Sequence, residues 1–474
     1  MAKKVKSGTL FLLLAALFLG MFAVFGPGVY NDSDQYIRMH IHREPLYPLF
    51  LAALRAVFGE HWLTAMGILQ NVLAAGSIWL FAEYLSGKFS LYLWEEVLVV
   101  LVQLMPHLIT KYCSSLHLFI TNSVMSEALC LPLFTIFLME CFRMFAGTKK
   151  GSCIRDGVLS LLTAFLLSLT RSQMMITILI WAVVLGARLL RKRKAGSMWY
   201  RTAGKLLLVV TVTALVFVLR LFAVKSYNLV YNGHFINNTY GTVNTLTNIL
   251  YAADREDGEA IEDEEAKAFF YRMYDLTEER QANYKYAGST PKEKIEHIEE
   301  WHDTIKFEMI EDVFYQTYDK TVTSDYITQN LMADEAAGKI IAGIFPKCFG
   351  RWLAGYFLIA WYGLIRSIAV VHPVINWLAF LLYLGAAGMA VLMIVKNRRE
   401  KEKIDDGVWF MGLALLAVCA NVFAVAFTIM ALSRYMIYGF AIFYTACFVL
   451  GITWFRRINA ERAEKGMKSW DIKI

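Results

Sequence analysis

The sequence predicts an all-α protein that crosses a membrane many times, and three observations carry this. Of its 474 residues, 57% are hydrophobic and 14% aromatic. The apolar residues gather into runs close to the ~20 residues a helix needs to cross the hydrocarbon core, where a helix satisfies its backbone hydrogen bonds without water. One long stretch, from Lys225 to Ala342, is instead polar and acidic, and reads as a soluble domain hung between spans.

Hydropathy places spans near residues 8–27, 62–85, 92–110, 121–145, 157–170, 173–190, 205–224, 374–395, 408–430 and 436–455. Basic residues set the orientation, because Lys and Arg near span ends stay on the cytoplasmic side. Lys3, Lys4 and Lys6 put the N-terminus inside. Lys149, Lys150, Arg155, the clusters Arg188 to Lys194 and Lys396 to Lys403, and Arg456 with Arg457 then fall on that same side. The apolar run Phe345 to Val371 would break the alternation if it crossed. It is therefore assigned to the interface or to packing on the bundle, which leaves about ten spans and both termini cytoplasmic. The first span begins like a signal sequence, but no small-x-small site follows it, so it is expected to be retained.

This divides the chain into a transmembrane module (1–224) with a first outer loop at 28–60, an extracytoplasmic and mainly helical domain (225–345), and a final part (346–474). The last comprises the interfacial segment, three spans and a cytoplasmic tail. The net charge of +7 belongs to the cytoplasmic loops and suits anionic lipid, not nucleic acid. The seven cysteines form no C-x-x-C pair. Cys130, Cys141, Cys419 and Cys447 lie in spans as buried thiols, while Cys113 and Cys348 fall on the outer side, where a disulfide is permitted.

Polar residues are dense just after the first span. The loop opening at Asn31 carries Asp32, Asp34, His40, His42, Arg43 and Glu44. Leu46 to Phe58, with Arg55 as its single charge, is too short to span and reads as a helix along the membrane surface. The second outer loop holds Lys111, Tyr112 and His117. Glu127 is placed about two turns inside the fourth span, where a carboxylate needs a partner, a proton or a polar cavity; an interhelical hydrogen bond and a functional role both satisfy this. Arg171, in the turn Thr170 to Gln173, is a snorkelling anchor or a ligand for an anionic headgroup. Arg434 and Tyr435 lie in the short outer turn before the last span. In the soluble domain Ser289 to Glu293 is a helix start, with Thr290 as N-cap, Pro291 at the first helical position and Glu293 closing a capping box. Ile295, Ile298, His302, Ile305 and Met309 then form one helical face. The acidic run Ala260 to Glu265 lacks EF-hand spacing and reads as solvated.

Asp32, Asp34, Arg43, Lys111, Glu127, Arg171 and Arg434 thus collect at the outer ends of the spans. They offer carboxylates for proton abstraction or metal binding, and cations for a phosphate at the membrane surface. The sequence has no G-x-x-x-x-G-K-[ST] loop and no soluble cytoplasmic domain. A donor for such a site should reach it in the membrane and already activated, as a sugar on a polyprenyl phosphate does.

The run D-S-D-Q-Y, Asp32 to Tyr36, followed by R-E-P-L-Y-P-L-F-L-A-A-L-R-A-V-F-G from Arg43, resembles the first outer loop of the GT-C glycosyltransferases. That group includes protein O-mannosyltransferases and lipid A aminoarabinose transferases. Asp32 and Tyr36 have the family's spacing, Pro45 to Pro48 match the start of its surface helix, and Glu127, the T-R-S-Q turn and the R-Y pair match more loosely. The resemblance implies a GT-C-like fold and transfer of a sugar from a polyprenyl-phosphate donor to a glycan, lipid or protein acceptor. It implies a catalytic carboxylate at Asp32 or Asp34, with Glu127 in support. It further implies that Arg43, Lys111, Arg171 and Arg434 meet the leaving phosphate, or that a divalent metal held by Asp32 and Asp34, with His40 and His42 as further ligands, does so. Tyr36, His40, His42, Glu44, Tyr112 and Tyr435 would line the substrate. The alternatives are a polysaccharide polymerase or ligase working through outer-loop arginines, and a lipid-linked glycan flippase or transporter with charges near the bilayer centre.

Overall fold

The computed structural model describes residues 2–30, 32–113, 117–192, 199–321, 326–366, 373–400, 403–428, 430 and 433–464. Among these there is no strand, only an isolated parallel bridge between Gly28 and Ser123. The chain is a multi-pass, all-α membrane protein. Among the described residues eleven helices are long and apolar enough to cross a bilayer, and many carry large apolar side chains on their outer faces, among them Leu12, Leu13, Leu207, Phe222 and Leu392.

Helix α1 is Ala2–Phe25, and the short α2 (Ser33–Ile37) and α3 (Leu46–Phe58) follow it. The bundle continues with α4 (Trp62–Phe89), α5 (Leu93–Tyr112), α6 (Glu127–Ala146), α7 (Lys150–Ser168), α8 (Ile176–Arg191) and α9 (Trp199–Asn232). The inserted domain contains α10 (Gly241–Tyr251), α11 (Glu264–Glu279), α12 (Pro291–Thr304) and α13 (Asp312–Thr321). The 41-residue α14 (Tyr326–Arg366) leads back to α15 (Pro373–Arg399), α16 (Asp406–Thr428), the one-turn α17 (Ser433–Met436) and α18 (Phe440–Glu464).

Helix α6 forms the centre, with 83% of its apolar window buried, and it packs against α4, α7, α8 and α16. Two sets of polar contacts mark the two ends of the bundle. At one end Lys88 pairs with Asp406 at 2.5 Å, Arg456 with Glu95 at 2.6 Å and Lys396 with Glu461 at 2.6 Å. At the other the chain after α1 is stitched to the start of α6, since Gly28 N–H donates to Asn122 O and Val124 N–H donates to Gly28 O. There too Leu46 N–H donates to Leu169 O, and Gln173 donates to Asn421. That second end carries the inserted domain.

Surface helix α3 turns at Gly59, whose φ of 52° is costly for any residue with a Cβ. It folds back on α4 through Tyr47, Leu51 and Leu54 while Val57 and Phe58 stay exposed. Helix α12 starts as its capping sequence dictates: Thr290 accepts from Glu293 N–H and Glu293 reaches back to Thr290 N–H. Its face Ile295, Ile298, His302, Ile305, Met309 is buried throughout, although residues Ile305–Glu311 wind as a π-helix.

Several spans start elsewhere than hydropathy suggests, α9 at Trp199 and also α6 and α7. Helix α6 begins at Glu127, because the residues before it are held in the bridge to Gly28. Glu127 is therefore in the first turn, where the helix dipole favours a carboxylate, and not two turns in. Helix α7 begins at Lys150, since Asp156 inside it is paired with Arg155 at 2.8 Å.

Helix α14 meets the length and composition of a span, and it packs both on the inserted domain and, through Trp352 and Tyr356, on Phe427 and Phe423 of α16. Asn330 accepts from Tyr315, Arg351 pairs with Asp254 at 3.0 Å, and Arg366 pairs with Glu299. Both ends thus meet the same domain. All seven cysteines are free, Cys113 exposed and Cys348 buried, so the outer disulfide is not formed.

Candidate active site

Between the end of the bundle and the inserted domain lies a cavity of about 1670 Å³. The loop from Asp32 to Glu44 forms one wall, the turn before α8 a second, and the domain the roof. Its lining includes Asp32, Tyr36, His42, Arg43, Glu44, Arg171 and Tyr435, seven residues singled out in the sequence.

Ser33 fixes the loop. Its buried hydroxyl donates to Val124 O at 2.8 Å and accepts from Tyr30 N–H at 2.7 Å. That anchor turns Asp32 and Asp34 to different surroundings. Asp32 faces the cavity and pairs with Arg43 at 3.0 Å. Asp34 is exposed on α2 and pairs with Arg38, one turn on, at 2.8 Å.

From Asp32 a continuous polar chain runs into the bundle. Arg43 donates to Gln35 at 2.7 Å and to the Tyr36 hydroxyl at 3.4 Å. The Tyr36 hydroxyl is 2.9 Å from Ser126 Oγ, which also accepts from Arg171 at 3.2 Å. Arg171 closes the chain on Glu127 at 2.5 Å, with its guanidinium over the Tyr435 ring. The carboxylate that sequence reasoning found too costly for lipid thus has its cation, supplied by the turn between α7 and α8. Tyr435 is held in place because its carbonyl accepts from Asn421 at 2.8 Å.

A second buried pair, Glu44 with Arg220, ties the same loop to α9. Arg220 was not among the sequence candidates. The signal was present, since it is a charge inside the apolar run 205–224 and falls under the same argument that singled out Glu127.

His42 is a neutral imidazole. Burial, together with the Arg43 guanidinium, pulls it down to about 3. Its Nε2 lies 3.1 Å from Gln35 Oε1, an oxygen that also accepts from Arg43, so Nε2 carries the proton and Nδ1 is the acceptor. His40 lies outside the lining, its ring 5.1 Å from that of His42.

The remaining candidates fall elsewhere. Lys111 donates to His117 O and stands over the Phe25 ring, and Tyr112 packs on Phe119. Neither lines the cavity. The Arg434 side chain lies outside the described residues, as does Asn31. Asp32 and Asp34 do not fit a shared metal ion: each is engaged by its own arginine, and among the described residues no group of three or more His, Cys, Asp or Glu could hold one.

No protein-family model, curated protein or solved structure matches the chain.

The rest of the lining is of two kinds. Ile176, Leu179, Phe217, Trp377 and Phe427 make an apolar flank from α8, α9, α15 and α16. Lys306, Glu311, Tyr240, Asn244 and Tyr326 come from the domain and the start of α14. Nothing in the polar sequence of the domain marks these, because polarity is ordinary in a solvated segment.

Proposed function

We propose that the protein is a membrane glycosyltransferase that moves a sugar from a polyprenyl-phosphate donor to an acceptor on the extracytoplasmic face of a cell membrane. The observation that carries the reading is that Asp32 and Arg171 line one cavity and belong to one hydrogen-bonded chain. A base and a phosphate-binding cation are then available to the same substrate. The apolar flank on α8, α9, α15 and α16 suits an isoprenoid chain, and the resemblance of Asp32 to Tyr36 and of Pro45 to Pro48 to the GT-C first loop points the same way.

In this reading the Asp32 carboxylate takes the proton of the acceptor hydroxyl as its oxygen attacks the anomeric carbon. The bond from that carbon to the phosphate oxygen breaks, and the polyprenyl phosphate leaves with the electron pair. A single displacement inverts the anomeric configuration. Arg43 orients the base, while Arg171 meets the charge growing on the leaving phosphate. Glu127 keeps Arg171 in position, and the buried pair of Glu44 and Arg220 braces the loop that carries Asp32.

The test is hydrolysis or transfer of radiolabelled polyprenyl-phosphate sugars by the purified protein in nanodiscs. Wild-type turnover that Asp32→Asn removes supports the reading. A wild type that consumes no donor while moving a fluorescent lipid-linked glycan across the bilayer would be a flippase.

A further inference from the structure

Away from Asp32 the cavity extends under the inserted domain, into a part outside the resemblance to known transferases. Here the wall is made by His42 from the loop, Thr239, Tyr240 and Asn244 at the start of α10, Glu311 from the π-helical turn, and Tyr326 at the start of α14.

Two independent features single this lobe out. The first is a set of buried polar atoms with no hydrogen-bond partner: His42 Nδ1, Thr239 Oγ1, Asn244 Oδ1 and Glu311 Oε1. Buried polar groups are normally satisfied, and four in one lobe ask for a ligand that satisfies them. The second is the backbone at Tyr240. Its φ of 76° is left-handed, which is strained for a bulky aromatic residue. Asp334 holds it there, accepting from Tyr240 N–H at 2.5 Å and from Val243 N–H at 3.2 Å. Local strain of this kind is kept where it positions a side chain. The Tyr240 and Tyr326 rings lie 5.8 Å and 6.4 Å from the His42 ring, so both border the His42 imidazole.

The chemistry of the lobe narrows the ligand. The unpartnered His42 Nδ1 and Asn244 Oδ1 are acceptors, and the Thr239 hydroxyl and the Glu311 carboxyl group can each donate or accept, so the set calls for a ligand carrying donors and acceptors together, with Lys306 standing over the neighbouring Tyr240 ring. An apolar side chain would leave all four atoms unmatched. A ring bearing several hydroxyls supplies donors in several directions and an apolar face for an aromatic ring. The π-helical winding at Ile305–Glu311 is also of the kind that recurs at functional sites.

We propose that this lobe is a saccharide subsite that receives the hydroxyl-bearing ring of the acceptor. It rests on the transferase reading for the word acceptor, but its binding chemistry stands by itself. Hydroxyls donate to His42 Nδ1, Asn244 Oδ1 and the Glu311 carboxyl group, and the sugar face lies on Tyr326, which is 44% exposed.

The test is saturation-transfer NMR on the full-length protein in nanodiscs, with methyl glycosides of glucose, mannose and N-acetylglucosamine as probes. At least one glycoside should bind, and Asn244→Leu and Glu311→Ala should each weaken it about tenfold. Glu311→Gln, whose amide oxygen still accepts, should stay within about threefold of wild type. Tyr326→Ala removes an exposed ring without disturbing the core and should weaken binding as well. Binding by none of the glycosides, or binding that all these substitutions leave unchanged, overturns the subsite. Donor hydrolysis by the same wild-type sample separates the two claims. Hydrolysis without glycoside binding removes the subsite and keeps the transferase, whereas glycoside binding without hydrolysis keeps the subsite and removes the transferase.

Discussion

Arg171 Nη1 lies 2.5 Å from Glu127 Oε1, with the Glu127 side chain buried and that of Arg171 15% exposed. The pair joins the turn between α7 and α8 to the first turn of α6, the most buried helix of the bundle. A charge left alone in such a place is costly, so breaking the pair from either side should destabilise the protein by roughly 3–5 kcal/mol. The expected outcome for Arg171→Met alone and Glu127→Gln alone is a lowered unfolding midpoint in detergent. The double variant, with no charge left unmatched, should recover most of that midpoint. Under the proposed mechanism it should not recover turnover, because the cation assigned to the leaving phosphate is gone. Recovery of both would make the pair purely structural.

The contrast between the first-loop carboxylates gives a sharper expectation. Asp32 faces the cavity and Asp34 faces solvent beside Arg38. Asp32→Asn should lower donor turnover by about 10²–10⁴-fold, the usual contribution of a positioned base. Asp34→Asn should keep turnover within a few-fold. Single-turnover hydrolysis of the lipid-linked sugar measures both, and a reversed order would assign the base to Asp34.

Glu311 provides a pH signature. Burial, with the neighbouring Asp312, pushes its carboxyl group up to about 8. The native state therefore keeps a proton that the unfolded chain releases above the ordinary glutamate range. Its stabilising effect is complete below that range and is lost as pH rises through about 8. Wild type should lose more thermal stability than Glu311→Gln between about pH 5 and pH 8, and the two should run parallel above about pH 9, where the carboxyl group is ionised in both the folded and the unfolded chain. Tyr315 flanks this group, but burial pushes its hydroxyl up and away from that window, so it does not confound the difference. Parallel curves throughout would show Glu311 ionised at neutral pH.

Helix α14 yields a topological prediction. Its ends meet Tyr315 and Glu299 of the same domain. In a Cys113→Ser background, chosen because Cys113 is exposed, Glu335→Cys and Arg366→Cys should react with an impermeant thiol reagent from the same side of sealed vesicles. Labelling from opposite sides would mean that α14 crosses.

What the sequence by itself determined is what depends on neighbours along the chain. The all-α, multi-pass character, the helix from Leu46 to Phe58, and the cap and buried face of α12 were all legible there. Hydropathy, helical period and capping are set within a turn or two of the residue concerned. For Phe345 to Val371 the alternation of basic clusters argued for an interfacial or bundle-packed segment, whereas the length and apolarity of α14 are those of a span, and the labelling experiment decides between them.

Which charges meet was decided only by the tertiary structure. Arg220 finds Glu44 across 176 residues, Arg171 finds Glu127 from the turn between α7 and α8, and Lys111 turns away to Phe25. Asp32 and Asp34 are separated by the anchoring of Ser33 to Val124. In each case the partner is fixed by how helices pack and where a loop is pinned, and an ionisable side chain carries no local mark of the partner that packing will bring to it.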